Sequence, residues 1–281
     1  MQSEMRTTTP HTMVALVTGA SSGIGAATAQ RLARAGYRVY GTSRRAREQG
    51  GGAIEMLTLD VTDEAAVADG VAHVLQHAGR IDVLVNNAGF GVAPAGAEES
   101  SIAQARAIFD TNFFGVVRMS RAVLPHMRAR GAGRIINIGS VLGLLPMPYG
   151  ALYSATKHAL EGYSESLDHE TRTCGVRVCV IEPAFTQTRF DANLLEPDAT
   201  RDEYRHMRAH LSALLPSQIA LGDDPSVVAD VVLRAATARR PRIRYTAGKA
   251  AATLALLRRL APAALVDRGI RQSFKLDAVR S

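Results

Sequence analysis

Met13-Val-Ala-Leu-Val-Thr18 runs directly into Gly19-Ala-Ser-Ser-Gly23-Ile-Gly25, and an alanine-rich helical pattern continues over 23–35. An apolar, β-branched run without polar alternation reads as a strand buried on both faces. Glycines let the backbone turn sharply, and a pyrophosphate can then approach the free N–H groups and positive dipole end of a helix. Gly19, Ser21, Ser22, Gly23, Ile24 and Gly25 are the phosphate-binding candidates. Their spacing is G-x-x-x-G-x-G, not G-x-G-x-x-G, and a glycine turn before a helix is common on its own. Position decides the reading: the turn follows a strand, opens a helix and stands at the head of a long alternation.

Further buried-strand patterns lie at 37–42, 54–59, 81–86, 134–139, 176–181 and 242–246. Helical spacing fills 63–78, 101–130, 152–173 and 225–238 between them. Strands alternating with helices predict right-handed βαβ units and an α/β fold, a single-domain Rossmann-type doubly wound parallel sheet of about seven strands. The chain has 281 residues, 47% of them hydrophobic, enough for one large core. Residues 1–12 read as a flexible N-terminal segment and 13–246 as the dinucleotide-binding and catalytic domain. Two stretches depart from the alternation, an insertion at 185–222 and an extension at 247–281. Both are apolar and helical in pattern, and both follow strand ends, where open α/β sheets place ligands.

The net charge is +7, but residues 239–281 hold eleven Lys or Arg and two acids, so the remainder is slightly acidic. The basicity belongs to the extension, which lacks aromatic interleaving and any nucleic-acid fold signature. A solvated face or a membrane-surface contact through 247–281 is expected, and no nucleic-acid partner. No apolar run reaches the ~18 to 20 residues that span a bilayer. Met1–His11 is polar, without a signal peptide's apolar stretch. Two cysteines, Cys174 and Cys179, suggest reduced thiols and a cytoplasmic location.

The second strand ends Tyr40-Gly41-Thr42-Ser43-Arg44-Arg45. An acid here would bond a ribose 2′-hydroxyl and favour NAD. Ser43 stands there instead, and the guanidiniums of Arg44 and Arg45 suit a 2′-phosphate, so NADP(H) is the expected cofactor. Ordinary solvated loop charges would look the same in sequence.

Of the 33 basic residues only three are lysine: Lys157, Lys249 and Lys275. Lys157, alone in the first 248 residues, stands four after Tyr153 in Tyr153-Ser-Ala-Thr-Lys157. On a helix that spacing puts both side chains on one face. An ammonium ~4 Å from a phenol at an effective dielectric of ~20 is worth ~4 kcal/mol, or ~3 pKa units. The expectation is a tyrosine brought from ~10 to near 7, fit for acid–base work. Tyr245-Thr-Ala-Gly-Lys249 repeats the spacing, but it follows the last strand and contains Gly248, so it reads as a strand exit.

At this point residues 13–246 resemble the short-chain dehydrogenase/reductase family, in particular its hydroxysteroid and retinol dehydrogenase-like members. Thr18–Gly25 is similar to the family's cofactor loop, and Asn86-Asn-Ala-Gly89 to its motif after the fourth strand. Asn112, Ser140, Tyr153 and Lys157 match its catalytic tetrad in order and spacing. The resemblance implies that Tyr153 exchanges a proton with the substrate oxygen while hydride moves to or from the nicotinamide. It implies that Ser140 bonds the same oxygen, that Lys157 holds the ribose and lowers the Tyr153 pKa, and that Asn112 anchors a water in the proton relay. Read alone, Ser140 is a helix cap and Asn112 a surface polar group.

The resemblance adds further cofactor contacts. Asp60, with Val61 beside it, resembles the adenine contact, although a turn or N-cap role fits equally. Asn86, Ala88 and Gly89 belong to the second loop. The usual Pro-Gly after the sixth strand is Pro183-Ala184 here, with Thr186 and Thr188 following, and Thr188 matches the threonine that meets the carboxamide. A homodimer or homotetramer packed through helices near 101–130 and 152–173 is also implied.

Val141–Tyr149 and the insertion's leucines and aromatics predict a pocket for a bulky apolar alcohol, ketone or aldehyde. His73/His77 and His206/His210 have the i, i+4 spacing of metal ligands but no recruited carboxylate motif, so exposed helical histidines and no metal are expected. A silent cofactor-binding regulator, or a membrane-surface protein acting through its tail, are the alternative readings. An intact tetrad argues against the first.

Overall fold

Residues 14–17 are all buried, and the period of two sends Val14 and Leu16 to one side of the sheet and Ala15 and Val17 to the other. In the computed structural model, which describes residues 12–45, 54–188, 190 and 194–276, this strand is β1 (Val14–Val17). The other strands are β2 (Arg38–Ser43), β3 (Ile54–Thr58), β4 (Val83–Asn86), β5 (Gly133–Ile138), β6 (Val176–Pro183) and β7 (Arg244–Ala247). They form one parallel sheet in the order β3-β2-β1-β4-β5-β6-β7. The order reverses between β1 and β4, which opens a crevice at their carboxyl ends.

Helices α1 (Gly23–Arg34) and α7 (Pro225–Thr237) cover one face through Ala29, Leu32, Val228 and Val232. The opposite face carries α2 (Glu64–Ala78), α4 (Gly115–Arg130) and α5 (Ala151–Thr171), through Val71, Val74, Met119, Val123 and Leu167. Both layers rest on the same strands, so each strand must be apolar on both sides.

The expected 101–130 helix is interrupted. It divides into α3 (Ile102–Phe109), a π-helical turn at Asp110–Phe114, and α4. The Gly115 N–H donates to the Asp110 carbonyl, which widens the turn. A Cβ on Gly115 would lie 2.7 Å from Val61 Cγ2, so glycine permits this close approach. Single π-turns of this kind occur often at functional sites, and Asn112 sits inside this one.

Among its described residues, the 185–222 insertion forms a short 3-10 turn at Asp202–Tyr204 followed by α6 (Arg205–Ala220). Before it, Leu195 bridges to Val92, and Asp198 accepts hydrogen bonds from the Ser101 N–H and hydroxyl at 2.7 and 2.6 Å. Glu196-Pro197 disfavours helix there, and buried Glu99 captures the Arg201 N–H at 2.7 Å and the Arg208 guanidinium. The extension forms α8 (Lys249–Leu260) and α9 (Ala263–Ser273), separated at Pro262. Tyr245 and Lys249 fall on β7 and at the start of α8, so that second Tyr-x-x-x-Lys is not one helical face. Residues 1–11 and 277–281 of the terminal segments lie outside the described residues. Among those described, no helix is long and apolar enough to cross a membrane.

In each histidine pair one member is exposed, His77 and His206, and the other is half-buried. Half-buried His73 lies 3.0 Å from Glu55 and stacks on His77 with ring centroids 4.1 Å apart. His210 is half-buried on α6. No group of three or more metal-ligating side chains lies together among the described residues.

Asp168 ties α5 to the sheet. It is fully buried and accepts from Arg177 Nε at 2.8 Å and the Val178 N–H at 2.9 Å, with Arg172 alongside. Burial alone would raise its carboxyl, but these donors outweigh it and hold the group at about 2. The folded value lies below the unfolded one, so this stabilisation is complete above about pH 4 and is lost as pH falls toward 2. Each pKa unit is ~1.4 kcal/mol, which gives roughly 2 kcal/mol. Asp168→Asn should lower unfolding free energy at pH 7 by at least that amount and flatten its acid dependence between about pH 4 and 2, measured by urea denaturation at several pH values.

Candidate active site

The crevice between β1 and β4 opens into a cavity of about 1780 Å³. That exceeds the ~300–1,000 Å³ of a single-ligand pocket and leaves room for a dinucleotide and a substrate together. Its floor is the glycine turn. Gly19 and Gly23 have φ of +65° and +54°, a region that strains other residues. A Cβ on Gly25 would stand 2.2 Å from the Gly19 carbonyl oxygen. Gly25 therefore does not line the cavity; it lets α1 fold against the turn. Ser22 is the N-cap of α1 and makes no side-chain cap hydrogen bond, so the first-turn N–H groups are left to an anion.

Ser21, Ser22, Gly23 and Ile24 line this end of the cavity, with Ser43, Arg44 and Arg45 at the end of β2. No carboxylate pairs with Arg44 or Arg45 among the described residues. Asp60 and Val61 line the next edge, and one Asp60 oxygen accepts from the Thr62 N–H and hydroxyl at 2.9 and 2.8 Å. The turn role of Asp60 is thus present beside its place on the cavity.

Asn86 departs from its expected place. It is 4% exposed, and its amide donates inward to Asn137 Oδ1 at 2.9 Å, so it braces β4 against β5 without reaching the cavity. The residue that sequence reading passed over is Asn87. Its Nδ2 donates to the Thr18 and Gly19 carbonyls at 3.0 and 3.1 Å, while Thr18 Oγ1 accepts from the Asn87 and Ala88 N–H groups. The two strand ends that bound the crevice are stitched together by these bonds. The repeated Asn-Asn hid the division of labour, because alternation along a strand sends successive side chains opposite ways.

Ser140, Tyr153 and Lys157 all line the cavity at its centre. Ser140 ends the extended run after β5, caps a short turn by accepting from the Leu142 N–H at 3.1 Å, and faces the Pro183 carbonyl at 3.5 Å. Its helix-cap role and its place beside Tyr153 coexist. Tyr153 and Lys157 share one face of α5, with the ammonium 5.5 Å from the phenol ring centre.

The expected drop in the Tyr153 pKa is not found. Burial pushes the phenol up, and Lys157 is itself brought down to about 8 by burial, partly opposed by Glu161. The ammonium donates to the Ile138 carbonyl at 2.8 Å instead of to the phenol. Desolvation outweighs a charge at that distance.

Asn112 does not line the cavity. From the π-turn its Nδ2 donates to the Phe90 carbonyl at 2.8 Å and to Thr156 at 3.3 Å, and its Oδ1 accepts from the Phe90 N–H at 3.0 Å. Its amide clamps the loop after β4 onto α5. Pro183, Thr186 and Thr188 line the far wall; Thr188 Oγ1 accepts from the Phe190 N–H at 3.2 Å, and its side chain packs over Gly23.

Two further features lay outside the sequence reading. Tyr149, at φ +61°, takes a conformation rare for a bulky residue, and its carbonyl accepts from the Ala95 N–H at 3.0 Å. That bend folds the 141–149 loop along the cavity. Behind Lys157, Glu161 and Glu182 are 3% and 1% exposed and share the Arg244 guanidinium at 3.0 and 3.4 Å, with Glu165 also on Arg244 at 3.2 Å. The i+4 spacing of Glu161 from Lys157 was legible; the β6 and β7 partners, distant in sequence, were not.

Residues 13–199 match the family model described as short chain dehydrogenase. A 3-ketodihydrosphingosine reductase of Bacteroides thetaiotaomicron is 37% identical over 237 residues, which cover 84% of this chain and 87% of that protein. A 17-beta-hydroxysteroid dehydrogenase type 1 of Mus musculus is 37% identical over 253 residues, 83% of this chain and 72% of that protein. A metagenomic short-chain oxidoreductase solved in complex with NADP superposes with a TM-score of 0.67 at 31% identity, covering 83% of this chain and 96% of that one. The chain belongs to the short-chain dehydrogenase/reductase family.

The buried acids behind Lys157 give the stability a second pH dependence. Burial, the Glu161 charge and Glu165 push Glu182 up to about 7, against the pull of Arg244. The folded value lies above the unfolded one, so stability is full below about pH 4.5 and declines as pH rises to about 7. Glu182→Gln should remove this decline, on the order of 3 kcal/mol, when urea midpoints at pH 5 and pH 8 are compared.

Proposed function

We propose that this member of the short-chain dehydrogenase/reductase family is an NADP(H)-dependent reductase of bulky apolar ketones or aldehydes, with Tyr153 as the proton donor. The observation that carries the reading is the convergence of Ser140, Tyr153 and Lys157 on one cavity with a basic, acid-free β2 end. When bound, the reduced nicotinamide cofactor supplies a hydride to the carbonyl carbon.

The chain's own residues manage the oxygen. Ser140 and Tyr153 hydroxyls hold it, and the Tyr153 proton passes to it as the carbonyl becomes a hydroxyl. The phenol keeps its proton at neutral pH and can therefore donate it to the forming alkoxide. The Lys157 ammonium, buried beside Tyr153, then stabilises the phenolate that remains and offers donors to ribose hydroxyls. Asn112 keeps the Phe90 loop in place on the substrate side. Apolar lining by Leu142, Leu145, Met147 and Phe190 excludes water from the reacting centre.

Arg44 and Arg45 support the choice of NADP(H), because each offers a fork of donors to a phosphate. NADPH should bind at least about tenfold more tightly than NADH, ~1.4 kcal/mol, in fluorescence titrations. The Arg44→Ala, Arg45→Ala double variant should lose most of that difference, and equal affinities in the parent protein would contradict the assignment.

Tyr153→Phe should bind NADPH nearly as well as the parent and lose turnover of apolar ketones, since only the hydroxyl is removed. Lys157→Arg keeps the charge but loses the compact ammonium, and most activity should go with it. Stopped-flow NADPH oxidation is the readout. Near-parental turnover by Tyr153→Phe would reject the proton-donor role.

A further inference from the structure

We infer that α6, α8 and α9 enclose a distal subsite for a long, unbranched alkyl chain, which makes the substrate class a long-chain ketone or its alcohol. The inference rests on the reductase reading for the carbonyl end and adds what holds the other end. The cavity continues past Tyr153 and the 141–149 loop onto the extension.

One face of α8 lines it from end to end, through Ala250, Thr253, Leu254, Leu257, Arg258 and Ala261. At 1.5 Å per residue that wall is ~16 Å long. Leu214, Leu215 and Ile219 of α6 add aliphatic wall. Phe274 is the one aromatic lining residue from these helices and their caps, and apart from Gln218, Thr253, Arg258 and Ser273 their walls are aliphatic surface that conforms to a flexible chain; the rings of Tyr149, Phe185 and Phe190 lie on other parts of the cavity.

Helix α9 is built as a cover for this space. None of its residues is buried, yet Leu265, Val266, Gly269, Ile270 and Ser273 form a stripe on the cavity, while Asp267 and Arg268 do not line it. An amphipathic helix whose apolar stripe faces a cavity completes its burial when an apolar ligand fills that cavity. Arg258 Nε donates to the Leu144 carbonyl at 3.0 Å and latches the extension to the 141–149 loop.

Gly269 supplies a further sign. Glycine is a poor helix former, and a Cβ there would meet nothing within 4 Å. The backbone does not require it for packing. Its missing side chain instead leaves room in the middle of the α9 stripe.

The test is calorimetric binding of a homologous series, from hexan-2-one to tetradecan-2-one, to the full-length protein saturated with NADP. Affinity should climb with chain length by up to roughly fourfold per methylene, the equivalent of ~0.8 kcal/mol for each buried CH₂. Gly269→Phe, which fills the stripe, should reduce the tetradecan-2-one to hexan-2-one affinity ratio by roughly tenfold or more. Arg268→Ala, off the lined stripe of α9, should keep the parental ratio. Circular dichroism checks that both variants fold, and Ile270→Asp replaces Gly269→Phe if the latter does not.

A parental affinity that ignores chain length would overturn the inference, as would a parental ratio in the folded Gly269→Phe protein. NADPH oxidation with the same ketones separates this from the function reading. Binding that grows with chain length without any turnover would retain the subsite and reject the reductase. Turnover with no chain-length dependence in affinity would do the reverse.

Discussion

The architecture depends on one close approach, where the ends of β1 and β4 part and are stitched together. Thr18 Oγ1 accepts two N–H groups from the β4 loop, and the Asn87 amide returns two hydrogen bonds to the β1 loop. A Cβ on Gly25 would fall within 2.4 Å of that amide and within 2.2 Å of the Gly19 carbonyl oxygen. Buried polar groups in such a seam must all be satisfied, and here satisfying them fixes the turn, the entry of α1 and the mouth of the crevice together. Displacing any one of the three would move the anion-facing N–H groups away from Tyr153 and Lys157.

A second regularity explains the unusual base composition. Buried carboxylates hold the elements in register, and arginine answers each of them: Asp82 with Arg80 and Arg130, Asp168 with Arg172 and Arg177, Glu99 with Arg208. The planar fork suits multiple hydrogen bonds to a carboxylate and does not titrate. Lysine appears once in residues 13–246, at Lys157, where burial brings the ammonium down to about 8. The Glu161–Glu182–Arg244 cluster behind it is the exception, with two buried acids on one guanidinium and a carboxylate oxygen of Glu161 left without a partner.

Much of this was legible from local pattern. Strand and helix order followed from apolar runs and helical spacing, because a strand covered on both faces has few other ways to satisfy burial. Tyr153 and Lys157 were legible because α5 places i and i+4 side by side. What escaped depends on contacts distant in sequence. Asn112 was read as part of one long helix, and the π-turn that aims its amide at Phe90 arises where Gly115 meets Val61. Asn86 stands where a cavity contact was expected and Asn87 where none was, because strand alternation, invisible in the dipeptide, sends one inward and one to the loop. The phenol shift had the wrong sign because desolvation, a property of the whole pocket, exceeded the pairwise attraction estimated from spacing. Helical spacing in 194–201 gives way to Pro197 and to the buried Glu99 that holds Arg201 and Arg208.

In the proposed reaction, hydride from a nicotinamide cofactor and the proton of Tyr153 meet at one carbonyl in the crevice. The most direct measurement is a single turnover of a long-chain methyl ketone with NADPH deuterated at the transferable position, read by mass spectrometry of the alcohol. The account predicts deuterium on the carbinol carbon for the parent protein and no labelled alcohol on the same time scale for Tyr153→Phe. Unlabelled alcohol from the parent, or labelled alcohol from Tyr153→Phe at the parental rate, would contradict it.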